Sequence, residues 1–186
     1  SQDLLTLRSG GEAFQLEKVL FIPNGNPGYP KKERPIDPLH RLEMVQLAIR
    51  DNPGFDVSAI EIVREKPCYS IDTLRLLAEK FPVEQFQYFF ITGTDTIMEF
   101  PSWKDPVQVL EMTEFIAGCR PGFSKEQVFE KIKYFPGCIE KVHFFEIPLL
   151  EISSSEIRER IRLKKTIRYL VPDAVFAYII DKNLYR

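Results

Sequence analysis

Seven consecutive residues near the C-terminus, Ile152-Ser153-Ser154-Ser155-Glu156-Ile157-Arg158, set three hydroxyls directly ahead of a helical apolar pattern and place a guanidinium one turn into it. Unbonded N–H groups and hydroxyls at a helix N-terminus, joined by a planar bidentate cation, hold phosphate oxygens. A purely structural reading competes with this one. Ser153 followed by Glu156 is a capping box, and Ile157 with Ile161 forms a buried stripe. That reading explains two residues and leaves three successive serines, Arg158 and Arg162 without a role, so both readings stand at this point.

Other residues with chemical potential are scattered along the chain. Gly93-Thr94-Asp95 closes an aromatic strand; it is either a strand-to-helix turn, or a place where glycine admits a ligand and Asp95 accepts hydrogen bonds from ribose hydroxyls. Trp103 is the sole tryptophan; such a residue is usually core, yet close to Asp95 in sequence it could stack on an aromatic ring. Tyr69-Ser70-Ile71-Asp72-Thr73 reads as a helix start beside an aromatic. Lys31, Lys32 and Arg34 read as solvated loop charges able to meet a phosphate. His40 and His143 are taken as structural. Cys68, Cys119 and Cys138 are odd in number and lack a C-x-x-C spacing, which argues against a disulfide framework, and with two dispersed histidines no metal cluster or Cys–His nucleophile is expected.

The elements that must position these residues follow from periodicity and turn chemistry. Lys18 to Pro23 is a short apolar strand run, followed by a Gly/Pro-rich basic loop over residues 24–36. Asp37 caps and Pro38 opens a helix with an apolar stripe through Ala48. Phe55 to Val57 and Ile60 to Val63 read as extended. Ser70 or Asp72 opens a helix through Lys80 with Leu74, Leu76 and Leu77 inside. Gln85 to Thr92 and Glu114 to Cys119 are strands, Ser124 to Lys133 a helix, Val142 to Ile147 a strand, and Ser153 to Arg162 and Pro172 to Asn183 helices. Strands alternating with helices, without period-2 hairpins, predict an α/β fold with a mostly parallel sheet. In such sheets ligands lie beyond the carboxyl ends of strands, which is where the Pro23 to Lys32, Gly93 to Asp95 and Arg120 to Gly122 clusters fall.

Composition narrows the classes further. The 186 residues are 44% apolar and 28% charged, enough to bury a core, and 27 acidic against 25 basic side chains give a net charge of -2. That balance lacks the positive field of a nucleic-acid binder but leaves room for small anionic ligands. With no apolar run of about 20 residues and no secretory signal pattern, a cytoplasmic protein without membrane contact is expected. No repeat, low-complexity tract or boundary interrupts the chain, so residues 1–186 are expected to form a single domain.

Taken in order, the segments resemble the nicotinate-mononucleotide adenylyltransferase family of the nucleotidyltransferase superfamily. The collinear pieces are V-L-F-I-P with P-x-x-P-K-K, H-R-L-E-M-V-Q-L-A-I, C-Y-S-I-D-T-L, I-T-G-T-D-T, the Trp103 segment, C-R-P-G, I-S-S-S-E-I-R and I-R-Y-L-V-P-D-A-V-x-x-Y-I. The resemblance implies a Rossmann-like nucleotidyltransferase fold, helices flanking a mostly parallel sheet and a helical C-terminal part. It implies adenylyl transfer from ATP to nicotinate mononucleotide, giving deamido-NAD and pyrophosphate, with Mg2+ accompanying ATP. By the same resemblance, Gly93, Asp95, Arg120, Ser153, Ser154, Ser155 and Arg158 bind ATP, with Arg158 and Ser154 as the catalytic groups. Trp103 carries the pyridine ring, Tyr69 and Ser70 meet its carboxylate, and Lys31 lies near phosphate. ATP and nicotinate mononucleotide are the implied partners, and a homo-oligomer is compatible.

One departure marks the sequence. The family's first strand and its G-G-T-F-D-P-x-H-x-G-H motif do not occur among these residues, and D-P-L-H at 37–40 is no displaced copy, because Arg41-Leu42 follows where Gly-His is needed. Two explanations are carried: a preceding segment outside this sequence, which the intactness of the other motifs favours, or a relative that binds nucleotides and has lost turnover. Another transferase of the superfamily, such as the pantetheine-phosphate enzyme, would account for I-S-S-S-x-I-R but poorly for Tyr69-Ser70 and Trp103.

Overall fold

The computed structural model describes residues 14–25, 36–65, 67–119, 124–135, 137–147 and 152–186. They form two compact units: one drawn from the described residues within 16–67 and 152–186, the other from 14–15 and those within 68–147. Every strand pairing among the described residues is parallel, and helices occupy the connections, so the chain is α/β with parallel sheets as its patterning predicts.

In the first unit, β1 (Val19–Phe21) pairs with β2 (Phe55–Val57), Val19 opposite Phe55 and Phe21 opposite Val57. Between them runs α1 (Pro38–Ile49). The Asp37 carboxylate accepts from the Leu39 N–H at 2.8 Å, and Pro38 occupies the first turn, where its missing donor costs nothing. The basic loop over 26–35, with Lys31, lies outside the described residues. Ile60 to Val63, expected to be extended, instead turns: the Ala59 carbonyl accepts from Ile62 at 2.8 Å and Val63 at 3.2 Å. These local bonds satisfy the backbone without a ladder partner, and Val63 is left exposed.

Later in the chain come α6 (Ser154–Arg162) and α7 (Asp173–Asp181), whose Ile157, Ile161, Val175 and Ile179 join Ile167 and Leu184 in one apolar cluster. Met44, Leu47 and Ala48 of α1 pack against it. His40 Nδ1 and the Tyr178 hydroxyl lie 2.8 Å apart, fastening α1 to α7, which makes His40 structural as expected. The last residues of unit one therefore hold its first helix.

The second unit carries a three-stranded sheet in the order β3-β4-β5, built from Phe89–Gly93, Glu114–Cys119 and Val142–Glu146. Around it lie α2 (Ser70–Lys80), α3 (Thr94–Glu99), a 3-10 turn at Phe100–Ser102, α4 (Pro106–Met112) and α5 (Lys125–Ile132). The strand expected from Gln85 starts four residues later. The Pro82 carbonyl captures the Gln85 and Phe86 N–H groups at 2.9 and 3.0 Å, so the chain turns before it can join the ladder. Leu76 and Leu77 are half-buried, while Ile71, Thr73 and Leu74 are the inward side of α2.

Helix α4 is missed by the periodicity reading, although Asp105-Pro106 repeats the Asp37-Pro38 start signal. It supplies Val109 and Leu110 to a core that also contains Ile71, Ile97, Phe100, Phe115, Val128 and Ile132. Burial of this apolar area, at roughly 25 cal/mol per Å2, is the main force holding the unit together. Among the described residues no helix is long and apolar enough to cross a membrane.

Candidate active site

Helix α6 begins as its sequence dictates. Ser153, in extended backbone, accepts the Glu156 N–H at 3.1 Å through its hydroxyl. The capping box is only half closed, because the Glu156 carboxylate faces Arg160 at 3.9 Å along the helix. Ser153, Ser154 and Ser155 are all exposed, whereas Ile157 and Ile161 turn inward. Arg158 Nη2 donates to Ser155 Oγ at 3.1 Å, folding the guanidinium back toward the helix N-terminus. Arg162 points elsewhere, to Glu159 at 3.7 Å. Hydroxyls, first-turn N–H groups and one guanidinium thus share one end of one helix, an arrangement suited to an anion.

Two further groups in this unit escape the sequence reading. Arg41, from α1, is pulled below its ordinary pKa by burial, opposed by Tyr185, Asp37 and Glu61. Burial in turn raises the Tyr185 phenol, with Arg158 and Arg41 opposing. Arg41 Nη2 reaches the Gly25 carbonyl at 3.5 Å, while its Nε is buried without a hydrogen-bond partner. Gly25 itself is there for clearance: a Cβ would stand 1.9 Å from the Glu61 carbonyl oxygen. A lone basic residue inside an apolar helix pattern, as Arg41 is, was the available signal.

In the second unit β3 ends at Gly93, the N-cap of α3, and Asp95 lies in that helix's first turn. Both are exposed. Nothing lies within 4 Å of where a Gly93 side chain would begin, so the space above this strand end is open. β4 runs parallel beside it and stops at Cys119; Arg120, next in sequence, lies outside the described residues.

Tyr69 is the N-cap of α2, without a side-chain cap of its own, and Ser70 is the first helical residue. Trp103 follows the 3-10 turn and is half-buried, meeting Phe90, Phe100 and Phe115 at centroid separations of 5.3, 5.5 and 6.1 Å. One side of the indole is thus core, as a lone tryptophan usually is, and part of it remains accessible. The Tyr69 and Trp103 segments meet through Lys104, whose Nζ sits 4.7 Å over the Tyr69 ring and 3.3 Å from Asp72 Oδ2. Sequence reading passed over Lys104; the signal was a cation directly after the sole tryptophan.

The cysteines are free thiols; burial raises the pKa of Cys119, and pushes that of Cys138 up to about 11, which keeps both unreactive. No group of three or more His, Cys, Asp or Glu among the described residues could hold a metal ion. His143, on β5, bonds Glu114 at 2.6 Å.

Comparison with known proteins adds relationships to this geometry. The cytidylyltransferase-like family matches residues 4–160. A probable nicotinate-nucleotide adenylyltransferase of Desulfitobacterium hafniense strain Y51 is 42% identical over 174 residues, spanning 93% of this chain and 83% of that protein. The nicotinate-nucleotide adenylyltransferase of Bacillus subtilis is 37% identical over 170 residues, 91% of this chain and 83% of its own length. In fold, the chain matches Plasmodium falciparum nicotinic acid mononucleotide adenylyltransferase complexed with NaAD, at a TM-score of 0.73 and 22% identity, covering 98% of this chain and 88% of the other.

Proposed function

Because the chain belongs to the cytidylyltransferase-like family, and its relatives named above are nicotinate-nucleotide adenylyltransferases, we infer that it transfers an adenylyl group from ATP to nicotinate mononucleotide in NAD biosynthesis. The reaction joins the mononucleotide's phosphate oxygen to the α-phosphorus of ATP and expels pyrophosphate. The observation that carries this reading is identity of 42% sustained along 93% of the chain.

Such a reaction needs alignment of two anions and relief of their repulsion rather than a protein nucleophile. We assign the triphosphate to the N-terminus of α6, with Ser153, Ser154, Ser155 and Arg158 holding its oxygens and Arg158 and Ser154 acting where charge builds on the transferred group. What supports this is the exposure of the three serines beside the inward-folded guanidinium. Arg120 and Lys31 are further phosphate contacts in this assignment. Gly93 and Asp95 take the nucleotide sugar, the open space above Gly93 leaving room for it. The pyridine ring rests on Trp103, with its carboxylate toward Tyr69 and Ser70 at the uncapped start of α2.

Nucleotidyltransferases of this family generally use a divalent metal, and we assign Mg2+, arriving with ATP as co-substrate. We read residues 1–186 as one nucleotidyltransferase domain, since one family match runs through both units, and place the reaction in the cytoplasm. The test is direct: the protein, expressed as its full encoded chain, should release pyrophosphate and form deamido-NAD from Mg·ATP and nicotinate mononucleotide. Release of pyrophosphate with phosphopantetheine and not with nicotinate mononucleotide would discard the assignment.

A further inference from the structure

We propose that Lys104 sets the preference of this enzyme for a pyridine carboxylate over a carboxamide. The proposal rests on the substrate assignment above, and it rests on a juxtaposition within the second unit: a cation next in sequence to the ring platform and folded over the aromatic that opens α2.

The local charge balance is what gives Lys104 this role. Asp72 is the only carboxylate paired with it among the described residues, at 3.3 Å, and the same carboxylate also faces Arg75 at 3.7 Å. Arg75 is further engaged by the Gln108 side chain of α4. These two cations and one carboxylate, taken among the described residues, sum to a net charge of about +1. An ordinary ion pair explains one of these cations; the second is in excess, and Lys104 is the one leaning on Tyr69. Its ammonium sits over the ring face while the side chain stays partly exposed to water.

A pyridine ring on Trp103 with its substituent toward Tyr69 and Ser70 would place that substituent in the field of this excess charge. A carboxylate gains from it; a carboxamide, being neutral, gains little. The first turn of α2 adds its own dipole in the same sense, and Asp72 in that turn only partly offsets it. With the Lys104 side chain about two-fifths exposed, solvent screening limits the gain to about fivefold in affinity, the upper range for exposed pairs.

Because Trp103 is the only tryptophan, its fluorescence reports ring binding at this place, and calorimetry gives an independent affinity. Nicotinate mononucleotide and nicotinamide mononucleotide are titrated into the wild-type protein, Lys104→Met and Lys104→Arg. The expected result is that Lys104→Met loses about fivefold in affinity for the acid and almost none for the amide, while Lys104→Arg keeps the wild-type ratio. Asp72→Asn, which removes the opposing carboxylate, should raise the ratio by about twofold. The inference is overturned if the wild type does not discriminate, or if Lys104→Met weakens both ligands equally, as a merely structural lysine would. A wild type that binds neither mononucleotide and forms no deamido-NAD overturns the substrate assignment itself.

Discussion

The two units hold their chemistry by different physical means. In the first, the main groups assigned to the triphosphate, Ser153, Ser154, Ser155 and Arg158, lie within six residues on one helix end, and the geometry among Ser153, Ser155 and Arg158 is set by the helix itself. Its sheet has two strands of three residues, and its core is mostly helix against helix. In the second, the groups assigned to the pyridine ring come from the start of α2 and from the turn after Phe100, and only a three-stranded sheet over a buried aromatic core brings the Tyr69 and Trp103 segments to one cation. A phosphate grip can be encoded locally because helix termini are ready-made anion sites. A ring platform cannot, since an indole must be half packed and half accessible, and that depends on the whole core.

This contrast predicts a division of labour between ligands, and the largest effects follow from it. Arg158→Ala should lower kcat/KM about a hundredfold, as loss of a charge-assisted donor at a developing anion does, with the burden on ATP and little change in affinity for nicotinate mononucleotide. Trp103→Ala should do the reverse, weakening the mononucleotide about tenfold and leaving the KM for ATP near the wild-type value. Steady-state kinetics with each substrate varied in turn decides the matter. If both variants affect both substrates alike, the division of roles between Arg158 and Trp103 is wrong.

A pair of glycines sharpens the same comparison. At Gly25 a methyl group would meet the Glu61 carbonyl oxygen at 1.9 Å and its carbon at 2.5 Å, and backbone atoms on both sides leave no flexible partner to yield. Gly25→Ala should therefore cost about 2 kcal/mol of stability, a fall in Tm of roughly 4–8 °C. Gly93 faces open space, so Gly93→Ala should melt with the wild type and instead weaken nucleotide binding severalfold, the methyl occupying room assigned to the sugar. Thermal melts with and without ATP separate the two. A Gly25→Ala protein as stable as wild type would mean that the approach of residues 25 and 61 is not a constraint on the fold.

What could be read in the sequence divides along the same line. Asp37-Pro38, the Ser153 cap and the strand Glu114–Cys119 are local statements, complete within a few residues, and the structure places each where its chemistry puts it. The premature start given to β3 failed because the competing claim of the Pro82 carbonyl on Gln85 and Phe86 is a turn written in residues that also favour strands. Ile60 to Val63 failed for the related reason that an apolar stretch can satisfy its backbone by turning. Among the candidate groups, the serines with Arg158 stand out in the sequence; Lys104 and Arg41 do not. The first acquires its meaning only when α2 and the turn after Phe100 pack together, the second only when burial strips it of water.

The smallest expected effect concerns the Glu114–His143 hydrogen bond at the start of β4, and it tests whether the second unit's polar groups stabilise its fold. Hydrogen bonding from His143 holds the Glu114 carboxyl below its ordinary range; burial opposes this, and Gln87 adds a further bond. A carboxyl whose pKa is lower in the folded chain contributes stability that is fully present above the unfolded value, about 4.3, and is lost as pH falls through the lower folded value. Both side chains are about a quarter to a third exposed, so the contribution is about 0.5–1 kcal/mol after screening. Glu114→Gln should thus unfold at lower urea than wild type at pH 7, and the gap should close as pH is lowered below about 4, toward the lowest pH at which both still unfold cooperatively. A gap that persists or widens under acid would show that Glu114 acts through packing alone, and the second unit would then owe its stability to its aromatic core without help from this pair.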